Sequence, residues 1–556
     1  MTSTLAAPAE ALPTAAAASF GAALLVAWPF VCPWVGGPSA NVWQLLAAWS
    51  CVALLLLAGR PAPPAGRLLA WLAALALAIA LSPATDAALV LSACAAVAVM
   101  GLAAAVGAGM ARPGAAGPRA LALGLLGAGL ASAVLGLLQY GGLGAALAPW
   151  SSAPGLGQAW GNLRQRNLFA TLLSMALVAG LWLHATGGAR ARRAWAPAAL
   201  LLVLALAASA SRTGLLQLVA LVGAAAFTAW RERQADPAPR LSHPLALLGL
   251  LPVYFAASWL LPRLGGPGVT GMLQRLRAGI PANESRLVLW RNMLELIGEH
   301  PWRGWGWGEL GFAHYGHAYA GPRFSVLADN AHNLPLHLAV ELGVPAALAL
   351  CGGFAGLVWA ARPWRERDPA RLMAWGVLGA IALHSLLEYP LWYGPFQLAA
   401  GLCLGMLWPA RADPQTRPEK PLASGRWVLA AAILMAVVGG AAGDYMRVSQ
   451  LYLARSERLA AYRDDTLAQV RDSWLYAGAV RFAELALAPT TPAGAARVHA
   501  LARQALHFSP EPRVIVRLID SARLLGLDDE AQAEAGRFRA AYPDDYARWA
   551  AGRPVD

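Results

Sequence analysis

Residues Ala87–Ala108 read AALVLSACAAVAVMGLAAAVGA, twenty-two positions without one charged side chain. At 1.5 Å of rise per residue this block makes a helix of about 33 Å, enough to cross the ~30 Å hydrocarbon layer of a bilayer. Its apolar residues are continuous, not alternating, which argues for helix over strand. With no water in the bilayer core, a helix also satisfies its own backbone polar groups. Similar blocks recur near 16–30, 43–59, 68–82, 120–140, 168–186, 195–210, 214–230, 244–261, 334–360, 371–388, 394–410 and 427–443. The expected fold is therefore all-α, a polytopic bundle of about thirteen membrane helices. Composition agrees: 58% of the 556 residues are hydrophobic and 13% charged, more apolar surface than a soluble domain can cover. Met1–Ser19 has no basic leader region, so the first block is expected to be a retained helix.

The net charge of +13 is explained by where the basic residues stand. Alternate breaks between blocks hold Arg60 and Arg67; Arg112 and Arg119; Arg190, Arg192 and Arg193; Arg231, Arg233 and Arg240; Arg362, Arg365, Arg367 and Arg371; and Arg411, Arg417, Lys420 and Arg426. The short breaks on the other side hold Arg164, Arg166 and Arg212. Eighteen against three makes the first side cytoplasmic. The N-terminus then lies inside and the C-terminal tail outside, as expected of a multi-pass protein of a bacterial inner membrane. A nucleic-acid partner does not fit charges that serve topology; the bilayer does.

Two segments are too polar to span, and both fall on the outer side. The expected organisation is an N-terminal bundle over 1–261, a large periplasmic loop over 262–333, a second bundle over 334–443 and a periplasmic helical tail over 444–556. In the tail, Ala495–Phe508, Arg513–Leu525 and Asp528–Tyr542 are amphipathic and separated by Ser-Pro-Glu-Pro and Gly526. This pattern suggests a short tetratricopeptide-like array.

The polar chemistry gathers on the outer face. Arg164, Arg166 and Arg212 oppose the topological bias there, so each calls for snorkelling to headgroups or an anionic partner such as phosphate. In the loop, Arg286, Trp290, Met293 and Ile297 share a helical stripe, with Trp302, Trp305 and Trp307 placed for headgroup level. Six of ten histidines (His300, His314, His317, His332, His337 and His384) fall between 300 and 384. His384 and Glu388 are four apart, and with Glu341 they are ionisable groups in spanning segments, which are costly and so functional candidates. His314 and His317 lack a third ligand at metal spacing, and Cys32, Cys51, Cys94, Cys351 and Cys403 read as small apolar residues. Neither a metal nor a cofactor is expected. There is no Gly-rich phosphate loop and no Gly-x-Ser-x-Gly elbow.

Three stretches together resemble the Wzy_C superfamily of O-antigen ligases, and within it the PglL-type protein O-oligosaccharyltransferases. They are Gly161-Asn162-Leu163-Arg164-Gln165-Arg166-Asn167, Ala331-His332-Asn333-Leu334-Pro335-Leu336-His337 running on to Gly343, and His384-Ser385-Leu386-Leu387-Glu388-Tyr389-Pro390-Leu391-Trp392-Tyr393. Arg286–Gly308 also looks like the family's periplasmic loop, and a soluble extension after the last helix fits the protein-glycosylating branch. Leu168 departs from the pattern, since related sequences often carry His or another polar residue there.

The resemblance implies a glycosyltransferase that moves a preassembled oligosaccharide from undecaprenyl pyrophosphate to a Ser or Thr hydroxyl of an exported protein such as a pilin. It implies His332 as the essential histidine, Arg212 and Arg286 as pyrophosphate ligands, and Gln165 with Tyr389 or Tyr393 as further site residues. Arg164, Arg166, Asn333, His337, His384 and Glu388 lie in the same motifs and are expected to line the substrate site. The activated pyrophosphate linkage supplies the energy, so ATP is not required. Three alternatives share the same residues: an O-antigen ligase acting on lipid A-core, a Wzy-type polymerase, and a non-enzymatic transporter. A transporter would place polar residues near mid-membrane in both halves, whereas here they collect at one face.

Overall fold

The computed structural model describes residues 11–112, 116–237, 239–265, 269, 271–279, 284–410 and 424–555, with backbone alone for 11–18. Arg411, Arg417 and Lys420 of the charge pattern, and the first ten residues, lie outside the described residues. The described chain is helical throughout, and its one extended pairing is an isolated bridge between Pro64 and Pro409. The first half holds α1 (Ala11–Val31), α2 (Val42–Ala58), α3 (Gly66–Ala80), α4 (Ala87–Met110), α5 (Gly117–Tyr140), α6 (Arg166–Thr186), α7 (Ala189–Ala208) and α8 (Arg212–Ala235), then α9 (Pro244–Leu248) and α10 (Leu250–Leu264). The loop segment carries α11 (Met272–Ala278), α12 (Arg286–Glu299) and α13 (Leu310–Gly316). Next come α14 (Leu334–Leu342), α15 (Val344–Ala361), α16 (Pro369–Ser385), α17 (Gly394–Leu407) and α18 (Gly425–Ser449). The tail adds α19 (Thr466–Val470), α20 (Ala477–Leu487), α21 (Ala495–Phe508), α22 (Pro512–Leu524), α23 (Asp528–Ala541) and α24 (Pro543–Ala550).

Among the described residues, eight stretches are long and apolar enough to cross a membrane: α4 to α8, Pro244–Leu264, Val344–Arg365 and Gly425–Tyr452. Four shorter apolar helices accompany them: Ser19–Val31, α2, α3 and α17. The chain is a multi-pass membrane protein. Leu77, Leu264, Leu348 and Leu429 point outward, more than half exposed, as lipid-facing side chains do.

Every residue of α17 is buried. It packs against α4 through small residues: a Cβ on Gly401 would stand 2.7 Å from the Met100 carbonyl oxygen, and Cβ atoms on Gly107 and Gly405 would press on the Leu402 and Ala104 carbonyls. Close backbone approach of this kind is how helices gain packing where no hydrophobic driving force separates lipid from leucine.

One expected helix, 334–360, is in fact two. Gly343 breaks it at φ +86°, and a Cβ there would lie 2.6 Å from the Trp302 carbonyl carbon. Into this break fits the glycine- and tryptophan-rich strap after α12. Trp305 N–H donates to Val340 O (2.8 Å), Gly306 N–H to Glu341 O (3.0 Å) and Val344 N–H to Pro301 O (2.8 Å). Consequently Trp307 is buried and Trp305 half-buried, its Nε1 donating to Leu296 O at 3.0 Å, while Trp302 stays exposed. Trp305 and Trp307 thus pack within the protein, and of the three only Trp302 is exposed. Likewise α12 does not simply float on a surface: Leu289, Met293 and Leu296 are buried against Phe324, Ala331 and Val340.

The tail docks on the loop segment through polar joints. Tyr315 Oη donates to Glu534 Oε2 (2.9 Å). Glu309, buried, meets His507 Nδ1 at 2.7 Å and also accepts from the Thr85 backbone (3.1 Å). The His507 and Thr85 hydrogen bonds outweigh the burial that would raise its pKa, and hold the carboxyl below its ordinary range.

The α4–α17 contact makes a direct test. Gly405→Ala is expected to destabilise the bundle by roughly 1–3 kcal/mol through overpacking, read as a lower thermal midpoint in detergent. Gly439→Ala, on α18 with nothing within 4 Å, is expected to leave the midpoint unchanged or slightly raised.

Candidate active site

Glu388 is the centre of the polar cluster. Helix α16 ends at Ser385, because Pro390 cannot continue a helix and disfavours helical backbone at Tyr389. Glu388 therefore leaves the helix axis in a turn, its N–H bonded to His384 O at 2.8 Å. Glu388 thus stands one turn beyond His384, just past the helix end. The carboxylate is nearly buried, 6% exposed at the side chain, and it is fully engaged. Oε1 pairs with the Arg286 guanidinium and accepts from Asn167 Nδ2 (2.9 Å). Oε2 lies 2.7 Å from His332 Nδ1.

That last contact sets the chemistry of His332. A carboxylate accepts only, so in the neutral imidazole Nδ1 carries the proton and Nε2 the lone pair. Among the described residues Nε2 meets no partner, and the side chain is 28% exposed. The backbone at His332 is left-handed, φ +49°, and is held there by Asn330 Oδ1, which accepts the His332 N–H at 2.9 Å. Arg164 (φ +57°) and Ala210 (φ +48°) are also left-handed. The turns at Arg164, Ala210 and His332 thus carry backbone strain that only surrounding contacts maintain.

The second cluster lies at the turn before α8. Ser211 caps that helix, accepting from Gly214 N–H (3.0 Å), and its hydroxyl donates to Asn167 Oδ1 at 2.6 Å. Asn167 therefore bridges Glu388 and the Arg212 turn. Arg212 Nη2 donates to the carbonyls of Arg275 (2.6 Å) and Gly279 (3.1 Å), and its Nε is buried without a partner. Arg275 reciprocates, Nη1 to Ala210 O at 2.8 Å. Burial first, then the charges of Arg166 and Arg212, pull the Arg275 pKa below its ordinary value. Arg212 and Arg275 thus stand together among backbone carbonyls, with Arg166 near enough for its charge to act on Arg275; none of the three has a carboxylate among its described partners, an arrangement suited to a polyanion.

Not every expected residue joins these clusters. Gln165 caps α6, its Oε1 accepting from Leu168 N–H at 2.9 Å. Arg164 turns to the carbonyls of Pro33 (3.0 Å), Trp34 (3.2 Å) and Ala40 (3.3 Å), anchoring the α1–α2 connection. Asn333 caps α14 and ties it to Leu386 O (3.1 Å). His337 is buried, 3.3 Å from Glu341 and edge-on to Trp307 and Trp392. His384 is fully buried beneath the site, 2.8 Å from Thr171 Oγ1. Arg164, His337 and His384 are thus engaged in packing and hydrogen bonding within the fold. Tyr389 lies edge-on to the His332 ring at 5.2 Å and stacks on Tyr393 at 6.0 Å. Burial raises both phenols, Tyr393 to about 12, so both remain hydroxyl donors at neutral pH. His314, which burial pushes down to about 3, bonds Tyr319 and Phe324 O and is a neutral structural group.

Asn167, Ser211 and Arg275 were not singled out by the sequence reading. Asn167 ends a quoted motif and Ser211 carries a helix-capping signature, but nothing local marks Arg275.

Comparison with known proteins places this site in context. Residues 197–351 match a family of O-antigen ligases, 159–184 a protein glycosylation ligase family, and 372–554 the C-terminal part of virulence-factor membrane-bound polymerases. A general O-oligosaccharyltransferase of Acinetobacter baylyi is 27% identical over 293 residues, which are 50% of this chain and 48% of that protein. The match thus spans about half the length of that relative. The resemblance read from the three motifs is shared by these families.

The Arg164 geometry predicts that Arg164→Ala costs roughly 1.5–3 kcal/mol, the worth of hydrogen bonds from a charged group. The expected result is a thermal midpoint lowered by a few degrees with no loss of affinity for a pyrophosphate-bearing lipid.

Proposed function

We propose that this relative of O-antigen and protein glycosylation ligases transfers a preassembled oligosaccharide from undecaprenyl pyrophosphate to a Ser or Thr hydroxyl of an exported protein, such as a pilin. In this reading the thirteen helical positions all cross the inner membrane, and the Glu388 cluster faces the periplasm. The observation that carries it is the Glu388 carboxylate bound to both His332 and Arg286.

The chemistry follows from that contact. His332 Nε2 takes the proton of the acceptor hydroxyl as its oxygen bonds to the anomeric carbon. The bond from that carbon to the pyrophosphate oxygen breaks, and the electron pair leaves with the pyrophosphate. Attack from the opposite face inverts the anomeric centre without a covalent enzyme intermediate. Glu388 stabilises the imidazolium that forms and fixes its tautomer, as the carboxylate does in a Ser-His-Asp triad. Arg166, Arg212 and Arg275 stabilise the charge that develops on the leaving pyrophosphate in a partly dehydrated site. Arg286, third-exposed and already paired, can share its remaining donors with the same phosphates. Tyr389 flanks the reacting imidazole, edge-on to the His332 ring.

A second reading has an observation of its own, the match of residues 372–554 to polymerase C-termini. A polymerase would pass the glycan to another lipid-linked saccharide. An O-antigen ligase would pass it to lipid A-core.

Reconstitution with a lipid-linked oligosaccharide and a purified pilin separates these outcomes. Wild type is expected to yield acceptor of reduced gel mobility. His332→Ala is expected to transfer at least 100-fold more slowly, the usual worth of a positioned base, and Arg212→Ala to lose a similar factor. Lipid-linked glycan growing longer without a pilin product would favour the polymerase, and glycan on added lipid A-core the ligase. Equal pilin modification by all three proteins would overturn the site.

A further inference from the structure

A cavity of about 530 Å³ lies between α13 and the tail helices α21, α22 and α23, away from the Glu388 cluster. That volume falls within the ~300–1,000 Å³ of small-ligand sites. Its two walls come from segments about two hundred residues apart in sequence, and buried joints hold them in place. Tyr315 bonds Glu534, His507 bonds Glu309, and the Phe312 ring stacks on His507 at 3.9 Å. Tyr315, Glu534 and Glu309 are all buried. The fold thus fixes a gap here, where apolar walls would have collapsed.

The lining bears both signs of charge. Glu299 pairs with His317 (2.8 Å), Glu530 lies near Arg503 (3.8 Å) and His499 (3.2 Å), and Arg537 pairs with Glu534. Arg503 is 66% and Arg537 51% exposed at the side chain, so both guanidiniums keep donors free. A sugar would meet these groups through hydroxyl hydrogen bonds alone, leaving the pattern of both signs unused, whereas a chain carrying both signs complements it. An extended polypeptide offers backbone N–H and C=O groups together with charged side chains. Concave faces built from packed helix pairs are suited to such segments.

Position supports the same occupant. Helix α12 runs from Arg286, in the Glu388 cluster, to Glu299, in the cavity wall. Its thirteen steps of 1.5 Å separate the two by about 20 Å. About six extended residues at ~3.3–3.6 Å each cover that span. A chain held in the cavity can therefore present a hydroxyl at His332 a few residues away.

We propose that this cavity is the docking site for an extended segment of the acceptor polypeptide, held outside the reaction centre by Arg503, Arg537, Glu299 and Glu530. The proposal rests on the protein-transferase reading above and adds to it where the acceptor is gripped.

The test uses the full-length protein in lipid nanodiscs and fluorescently labelled pilin, with no donor present. Binding is followed by anisotropy for wild type, Arg503→Glu, Gln504→Trp, the exposed tail control Arg539→Glu, and His332→Ala. The two cavity variants change exposed side chains, and matching thermal midpoints verify their folding. The expected result is pilin affinity at least tenfold weaker in both cavity variants and within twofold of wild type in Arg539→Glu, while His332→Ala still binds pilin. In transfer assays the same variants are expected to raise KM for pilin while leaving KM for the lipid-linked donor unchanged. Wild-type affinity in both cavity variants, or no wild-type binding at all, overturns the proposal. A raised KM for the donor instead assigns the cavity to the glycan and also overturns it. Normal pilin binding by a wild type that transfers nothing would defeat the transferase reading and leave the docking site standing.

Discussion

One buried carboxylate holds the polar face of this protein together. Glu388 takes a guanidinium on one oxygen and an imidazole on the other, with the Asn167 amide as a third donor. A carboxylate so enclosed is costly unless every lone pair is used, and here the partners come from different parts of the chain. Asn167 opens α6, Arg286 opens α12 and His332 sits in the turn before α14. The same asparagine accepts from Ser211 and so connects the Arg212 turn. Losing the carboxylate would remove the contacts to Asn167, Arg286 and His332 at once. It would also remove the contact that keeps the His332 proton on Nδ1, so architecture and reactivity share one interaction.

Much of the fold is legible in the sequence because the bilayer imposes a simple rule. Uninterrupted apolar runs become helices, and a helix or a broken pair stands at every expected position. What escapes that rule depends on tertiary contact. Gly343 reads as one more small residue in an apolar block, yet it breaks the helix because the 301–308 strap lies against it. Pro390 does signal an end, but the sequence does not say that the chain leaves α16 already at Ser385.

The site divides in the same way. His332, Arg286 and Tyr389 stand out through the motifs that resemble the ligase families, and Glu388 as an ionisable group at the end of an apolar run. Their exact pairing is not, since Glu388 reaches His332 across 56 residues and Arg286 across 102. Arg164 and His384 look equally suggestive in sequence. The first is spent on backbone carbonyls and the second on Thr171. Arg275 is invisible beforehand, because only folding of the loop brings it to Arg166 and Arg212. Two kinds of positive charge emerge from this. Arg286 is balanced by Glu388, whereas the Arg166, Arg212 and Arg275 group has no carboxylate among its described partners. In the proposed reaction, that imbalance is what a departing pyrophosphate would neutralise.

The central claim is that Glu388 acts through His332 and not beside it. A double-mutant cycle on transfer rate measures this directly, using Glu388→Gln, His332→Ala and the two combined. If the carboxylate works by orienting and charging the imidazole, the double variant will be no slower than His332→Ala alone. Losses that multiply, with the double variant slower by the product of the two single effects, would contradict the account.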